Sequence, residues 1–93
     1  MHFVCYPYQA RLNLLKHRVS FEEAESVFGD KRAVVWPDTE HSDDEERMAM
    51  LGMSAKGRIL LICYCYRGLD TIRIFSGRKA NSNEKMAYLR SWR

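Results

Sequence analysis

Arginine, serine and lysine side chains, which are types that can bind phosphate, are concentrated around two isoleucines in the segment IRIFSGRKA at residues 72–80. Arg73, Ser76, Arg78 and Lys79 lie close together there, and Arg67 precedes them across a short turn. Guanidinium groups bind phosphate through paired hydrogen bonds and stay charged at any cellular pH. Several of them around one phosphate would stabilise the charge that develops during phosphoryl transfer. The alternative is a solvated hairpin edge, where cations deter pairing with strands of other molecules.

A lysine and a histidine, Lys16 and His17, close the first predicted helix. Histidine exchanges its proton near neutral pH, so His17 is a candidate for acid–base chemistry. Cations at a helix C-terminus are also favoured by the helix dipole alone. His41 lies in the acidic run EHSDDEE, whose spacing matches no metal-ligand pattern, so the expectation is an exposed loop. We therefore expect neither a metal nor another cofactor.

The charged side chains are divided unevenly along the chain. Residues 1–46 carry ten acidic and five basic side chains, whereas residues 47–93 carry two acidic and ten basic ones. A basic half beside an acidic segment indicates a surface that attracts a polyanion. This pattern alone does not distinguish nucleic acid from other anionic partners.

The composition predicts one globular domain over residues 1–93. Hydrophobic residues make up 46% of the sequence, which is enough for a core. No apolar run is long enough to span a membrane or to form the core of a signal peptide, so we expect a cytoplasmic protein without membrane contacts. The three cysteines are an odd number, and Cys63 and Cys65 share one strand face, so reduced thiols are expected.

Two helices are predicted in the N-terminal half, after a short β-prone run, HFVCY. Pro7 can occupy the first turn of a helix, and Tyr8, Leu12, Leu15 and Val19 fall at helical spacing, which predicts a helix over residues 7–17. The segment SFEEAESVFGD predicts a second helix that ends at Gly29. Its Ser20 and Glu23 have the spacing of a capping box.

The rest of the chain predicts a sheet followed by a third helix. RAVVW and RMAMLGMS are candidate strands, and Gly52 in the latter suggests a bulge or a close approach. RILLICYCYR is apolar on both faces and should be central, and a short turn joins it to DTIRIFS. NSNEKMAYLRSWR has a capping pattern at Asn81 and Glu84, with Met86, Leu89 and Trp92 as its buried side.

These elements predict an α+β fold: an antiparallel sheet of about four strands, two N-terminal helices and one C-terminal helix. Helices from both ends of the chain would cover one sheet face and leave the other open. If Ile72 and Ile74 face the helices, strand alternation places Arg73 on the open face. Ser76 has the same strand parity as the isoleucines and not that of Arg73. Arg73 and Ser76 therefore reach one phosphate only if the strand twists or ends at Gly77.

Four ordered sequence blocks resemble one known family. The chain is similar from Phe3 to Tyr88 to the BrnT family, small RelE-like ribonuclease toxins of bacterial type II toxin–antitoxin modules. The resemblance lies in N-x-x-K-H-x-V-S-F-E-E-A at 13–24 and in E-E-R with a following G-M-S within 45–54. It continues with R-G and I-R-I-x-S-x-R-K-A within 67–80 and with E-x-x-x-Y at 84–88.

The resemblance implies a compact RelE-like sheet and metal-independent cleavage of RNA that halts translation. It implies a ribbon-helix-helix antitoxin as partner, through which the complex binds operator DNA. Internal attack by a ribose 2′-hydroxyl is the expected reaction, with His17 as the obvious base, although RelE-like enzymes vary in this role. The matching catalytic positions are Lys16, His17, Glu46, Arg67, Arg73, Ser76 and Arg78, and the expected RNA-binding residues are Arg47, Arg58, Lys79 and Lys85.

The N-terminal segment departs from the family pattern. The family usually opens with F-E-W-D and has a lysine four residues after the tryptophan, where this chain has Val4, Cys5, Tyr6 and Gln9. Arg18 stands where the family favours glycine, at a cost of roughly 1 kcal/mol if the backbone there is left-handed. Gly77 replaces the usual alanine.

Three functions are compatible with these residues. A ribonuclease toxin is the main hypothesis. The divergent N-terminus motivates a second hypothesis, a catalytically degenerate module that binds an antitoxin without cleaving RNA. A basic RNA-binding domain without a toxin role is the third, and it predicts steep salt dependence and no cleavage products.

Overall fold

A five-stranded mixed sheet forms the centre of the computed structural model, which describes residues 1–41 and 46–92. The strand order is β1-β5-β4-β3-β2, so β4 is central, as its two apolar faces predict. The antiparallel pairs β3–β4 and β4–β5 confirm the two predicted hairpins, and β2 pairs with β3 in the same sense, but β1 pairs with β5 in parallel. The sheet therefore has one strand more than the predicted four. The strands are β1 His2–Val4, β2 Val34–Pro37, β3 Arg47–Met53, β4 Ile59–Tyr66 and β5 Thr71–Lys79.

The three predicted helices are present: α1 Pro7–His17, α2 Phe21–Ser26 and α3 Ser82–Arg90. Short 3₁₀ helices occupy Val27–Gly29 and Thr39–His41, the latter in the predicted acidic loop, whose residues 42–45 lie outside the described chain. Within the described residues, no helix is of the length and apolarity required to cross a membrane.

Side-chain caps fix the start of α2 and α3. Asn81 and Glu84 form the complete capping box predicted for α3, with both reciprocal hydrogen bonds. At α2 the Ser20 hydroxyl accepts a hydrogen bond from the backbone amide of Glu23, as predicted. The carboxylate of Glu23 is instead directed to Ser54 and Arg58, because this buried charge needs a cationic partner.

The helices cover both faces of the sheet, so the prediction of one open face is wrong. Leu60 and Ile62 pack with Val19, Ala24 and other residues of the α1–α2 layer in the larger core cluster. The β3 and β4 residues of opposite parity, Leu51 and Leu61, instead cluster with Tyr88 of α3. Strand alternation shows that α3 lies on the second face. The sequence contained too few apolar residues on α3 to indicate which face it covers.

The buried side chain of α1 is polar, and those of α3 differ from the ones predicted. Asn13 is the buried residue of α1, whereas Tyr8, Leu12 and Leu15 are 69%, 47% and 71% exposed. On α3, Tyr88 is buried, while the predicted Met86 and Leu89 are about half exposed. The exposed fraction of Trp92 is 39%, and its ring packs edge-on against Tyr88 with centroids 5.6 Å apart.

The absence of a side chain at Gly52 permits a close approach in β3, as predicted. A Cβ at this position would lie 2.8 Å from Cγ1 of Val27 and 3.0 Å from Cβ of Ala33. These distances are too short for carbon atoms, so glycine lets β3 contact the segment that follows α2.

Arg18 ends α1 in the left-handed conformation, with φ 59° and ψ 31°. We expect Arg18→Gly to raise the free energy of unfolding by about 0.5–1 kcal/mol, because glycine has no Cβ to strain there. Thermal and urea unfolding would measure the change. The control Arg11→Gly, within the same helix, should lower the stability by about 1 kcal/mol. A destabilised Arg18→Gly variant would contradict the strain at this position.

Candidate active site

A β-bulge at Phe75 places Ser76 on the same sheet face as Arg73. Tyr64 pairs with Ile74 and Cys63 pairs with Ser76, so Phe75 is the extra residue on β5. Burial follows the change of parity: Ile72, Ile74 and then Gly77 face the α1–α2 core. The prediction that Ser76 shares the isoleucine face is therefore wrong, because a bulge resets the alternation along the strand.

The bulge forms one wall of a cavity of about 290 Å³ whose other wall is α1. Lys16, His17 and Ser76 line this cavity, so it brings together three of the predicted catalytic residues. Gln9, Leu12, Asn13 and Phe75 complete the lining. The Ser76 hydroxyl of β5 therefore faces Lys16 and His17 at the C-terminal end of α1.

Asn13 fixes α1 against the strand edge beside this cavity. Its side-chain amide donates to the carbonyl oxygens of Gly77 (2.8 Å) and Val19 (2.9 Å). Its side-chain carbonyl oxygen accepts a hydrogen bond of 3.0 Å from the backbone amide of Gly77. The sequence places Asn13 only three residues before Lys16, so these bonds position the lysine and histidine over the bulge.

We expect Asn13→Ala to lower the free energy of unfolding by about 2–4 kcal/mol, because three buried hydrogen bonds are lost. For a chain of this size the melting temperature should fall by roughly 10–25 °C. Thermal unfolding would measure this, with Asn83→Ala, an exposed asparagine of α3, as the matched control. Equal melting temperatures for the two variants would contradict the positioning role of Asn13.

His17 lies in surroundings that disfavour its protonated form. Partial burial, followed by the charges of Lys16 and Arg78, lowers the pKa of His17 below its usual value. The imidazole is therefore neutral at pH 7 and can accept a proton. Arg78 itself is held by Glu84 through two parallel hydrogen bonds of 2.8 and 2.9 Å.

Two arginines, one from β3 and one from β5, stack against the ring of Phe75 in the bulge. The guanidinium carbon of Arg47 lies 4.0 Å from the centroid of the Phe75 ring, and that of Arg73 lies 4.5 Å from it. Arg73 also lies 4.4 Å from the ring centroid of Tyr6. Because aromatic faces attract cations, Phe75 and Tyr6 hold these guanidinium planes in fixed positions. Phe75 was not among the residues predicted for the site, although it lies between Ile74 and Ser76 within the cationic segment.

Comparison with known proteins identifies the family. A family model described as "Ribonuclease toxin, BrnT, of type II toxin-antitoxin system" matches residues 7–84. The chain belongs to the BrnT family. The crystal structure of the Brucella abortus ribonuclease toxin BrnT superposes with a TM-score of 0.69 at 19% sequence identity, covering 88% of this chain and 99% of that one. That likeness confirms the fold. No curated protein matches the chain.

One residue of the divergent N-terminal segment lines the cavity. Gln9 stands where the family usually has a lysine, and it lines the cavity beside Lys16. The Oε1 atom of Gln9 is buried and has no hydrogen-bond partner among residues 1–41 and 46–92. An amide therefore lines the cavity at the position where the resemblance to the family leads us to expect a lysine. The sequence alone indicated the substitution but not its place in the cavity.

Four other catalytic residues expected from the family do not line the cavity: Arg73 and Arg78, described above, and Arg67 and Glu46. The Arg67 amide donates to the Thr71 carbonyl at the β4–β5 turn, at the opposite end of β5 from Arg78. Glu46 is exposed and directly precedes β3. Their catalytic roles stay predictions.

The expected RNA-binding residues separate into two places. Arg58, Lys79 and Lys85 line a second cavity of about 380 Å³, whereas Arg47 belongs to the stack on Phe75. Arg58 is also bonded to the buried Glu23 carboxylate and to the Arg18 carbonyl. Its partners in the protein leave Lys79 and Lys85 as the more accessible cations of that cavity. Among the described residues, no cluster of three histidine, cysteine or acidic side chains is suited to a metal ion.

Proposed function

We propose that this BrnT chain is a metal-independent endoribonuclease that halts translation in the cytoplasm until a ribbon-helix-helix antitoxin neutralises it. In this proposal the antitoxin also carries the complex to operator DNA. The observation that supports the proposal is the cavity in which Lys16, His17 and Ser76 meet beside stacked arginines. These groups are the donors, acceptors and cations that RNA cleavage requires.

The proposed reaction is attack by a ribose 2′-hydroxyl on the adjacent phosphorus. Neutral His17 takes the 2′ proton while the new O–P bond forms. The bond from phosphorus to the 5′ oxygen breaks, and Lys16 supplies the proton that this oxygen needs. Arg73 and the Ser76 hydroxyl donate hydrogen bonds to the phosphate oxygens, whose negative charge grows in the transition state. The products are a 2′,3′-cyclic phosphate and a free 5′-hydroxyl.

The cationic side chains explain why no divalent metal is needed in this proposal. A metal ion in phosphoryl transfer neutralises developing charge and orients the reacting oxygens. Arg73, with Arg47 beside it on Phe75, supplies fixed positive charge at the strand, and Lys16 supplies it from α1. Lys79 and Lys85 are proposed to hold the RNA backbone outside the cavity.

A catalytically degenerate module is the second candidate. The observation that favours it is Gln9, since replacement of the usual lysine removes one cation from the cavity. Such a module would bind its antitoxin while leaving RNA intact.

An RNA cleavage assay with the partner-free protein separates the two candidates. RNA is incubated with the protein in EDTA and in Mg²⁺, and the new ends are analysed. We expect equal cleavage under both conditions, with 2′,3′-cyclic phosphate ends. Intact RNA together with tight antitoxin binding would support the degenerate module. Cleavage that stops in EDTA would overturn the proposed mechanism.

The pH dependence of cleavage should report the depressed pKa of His17. Because the base must be neutral, kcat/KM falls as pH drops through this pKa, and the midpoint should lie below the value of about 6.5 of an ordinary histidine. Lys16→Met removes a nearby positive charge and should move that midpoint upward. Lys31→Met, outside the cavity, serves as control. An unchanged midpoint in Lys16→Met would contradict the proposed electrostatic coupling.

A further inference from the structure

The face of α1 that points away from the sheet carries an apolar stripe, defined by Tyr8, Leu12 and Leu15. These residues recur at spacings of four and three, so they share one side of the helix. Ala10 and Asn13 face the protein from the opposite side, since Ala10 packs on the core and Asn13 bonds to β5. Tyr8 and Leu15 are 69% and 71% exposed. Three large apolar side chains in one row mark a contact surface more than a solvated helix face.

The charges around the apolar stripe are all positive on this helix. Arg11 and Lys16 flank the stripe, and residues 7–17 contain no acidic side chain. A complementary partner segment would therefore present apolar side chains to the stripe and acidic ones to its margins. RNA fits less well, because leucine side chains offer neither charge nor a stacking surface to a nucleotide.

The apolar stripe is continuous with the candidate active site. Leu12 belongs to the stripe and also lines the cavity that contains Lys16 and His17. A segment seated on the stripe would therefore lie over the mouth of the cavity. A type II toxin requires a protein that blocks its activity, and this location would let one contact surface do so.

We propose that the apolar stripe is the docking site for an acidic amphipathic segment of the antitoxin, which thereby covers the cavity. This inference rests on the proposed function in so far as it takes the partner to be the antitoxin. It assigns to the three residues a role in neutralisation and none in the cleavage reaction.

The test uses the full chain and its purified cognate antitoxin. The variants are Tyr8→Glu and Leu15→Glu, which leave the cavity lining unchanged, and Leu69→Glu, a fully exposed leucine of the β4–β5 turn, is the control. Antitoxin affinity is measured by calorimetry, alongside melting temperature and RNA cleavage by the partner-free variants. Each stripe variant should bind about tenfold to a hundredfold more weakly, because it replaces buried apolar area with a like-signed charge.

The control should bind within about twofold of the unmodified chain. In every variant the melting temperature should not change, and neither should the cleavage rate at a pH well above the pKa of His17. Three results would overturn the inference. The first is unchanged antitoxin affinity in both stripe variants. The second is that the stripe variants lose self-association of this chain and keep their antitoxin binding. The third is slower RNA cleavage together with normal antitoxin binding. Absence of RNA cleavage by the unmodified chain would instead refute the proposed enzyme, while the binding comparison would still decide the docking site.

Discussion

Replacing His17 by alanine is expected to slow RNA cleavage by about 10²–10⁴-fold, because the reaction loses its general base. The imidazole lies in the cavity with Lys16 and Ser76, and its lowered pKa keeps it neutral and able to accept a proton. Single-turnover rates with saturating protein would measure this effect on the chemical step. Expression of the variant without antitoxin should also no longer arrest growth.

The matched control for this prediction is His2→Ala. His2 is an exposed histidine on β1 that pairs with Asp70. The cleavage rate of His2→Ala should lie within about twofold of that of the unmodified chain. Equal rates for His17→Ala and the unmodified chain would remove His17 from the mechanism. The base would then have to be sought elsewhere in the cavity.

Replacing Arg73 by alanine is expected to slow cleavage by about 10²–10³-fold, the usual loss when one transition-state donor is removed. Arg73 lies between the rings of Tyr6 and Phe75, which fix the plane of its guanidinium group. Arg73→Lys keeps the charge but loses the planar, paired donors, so it should restore only part of the rate. The effect should fall on kcat, with little change in KM, if the interaction belongs to the transition state.

Arg32→Ala provides the control, because Arg32 also stacks on an aromatic ring, that of Trp92 at 4.3 Å, outside the candidate site. Phe75→Leu removes the stacking surface while keeping an apolar side chain. The double variant Phe75→Leu and Arg73→Ala should raise the activation free energy of cleavage by less than the sum of the two single effects. Additive effects would show that Phe75 does not position Arg73. Full activity in Arg73→Ala would exclude this arginine from the site.

Local patterns in the sequence predicted the elements of this fold well. Helix α1 runs over the predicted residues, Asn81 and Glu84 cap α3, and the strand with two apolar faces is the central one. These features depend on neighbours in the chain or on burial of a whole strand. Side-chain caps and alternation therefore sufficed to predict them.

Features that depend on distant contacts were not predictable in the same way. The bulge at Phe75 arises from pairing with β4, and it reversed the predicted side of Ser76. The anchor of α1 is a polar residue, Asn13, bonded to β5, and the apolar spacing along the helix does not reveal it. The apolar stripe that predicted the helix is the surface that we assign to the antitoxin.

The candidate site shows the same division between local and distant information. The family motifs supplied Lys16, His17 and Ser76, which the structure brings into one cavity. The supporting residues Asn13 and Phe75 act by fixing other groups, and nothing in their types or spacing indicated this. The role of Arg78 as a phosphate ligand stays a prediction, and its two hydrogen bonds to Glu84 tie β5 to α3.

The most direct test of the central claim is cleavage of an RNA carrying a single 2′-deoxy nucleotide at a mapped cut site. The partner-free chain should leave that one linkage intact and cut the all-ribose strand at the same position, because the 2′-hydroxyl is the nucleophile. Cleavage of the deoxy linkage at the ribose rate would contradict the account, since His17 would then have no 2′ proton to remove.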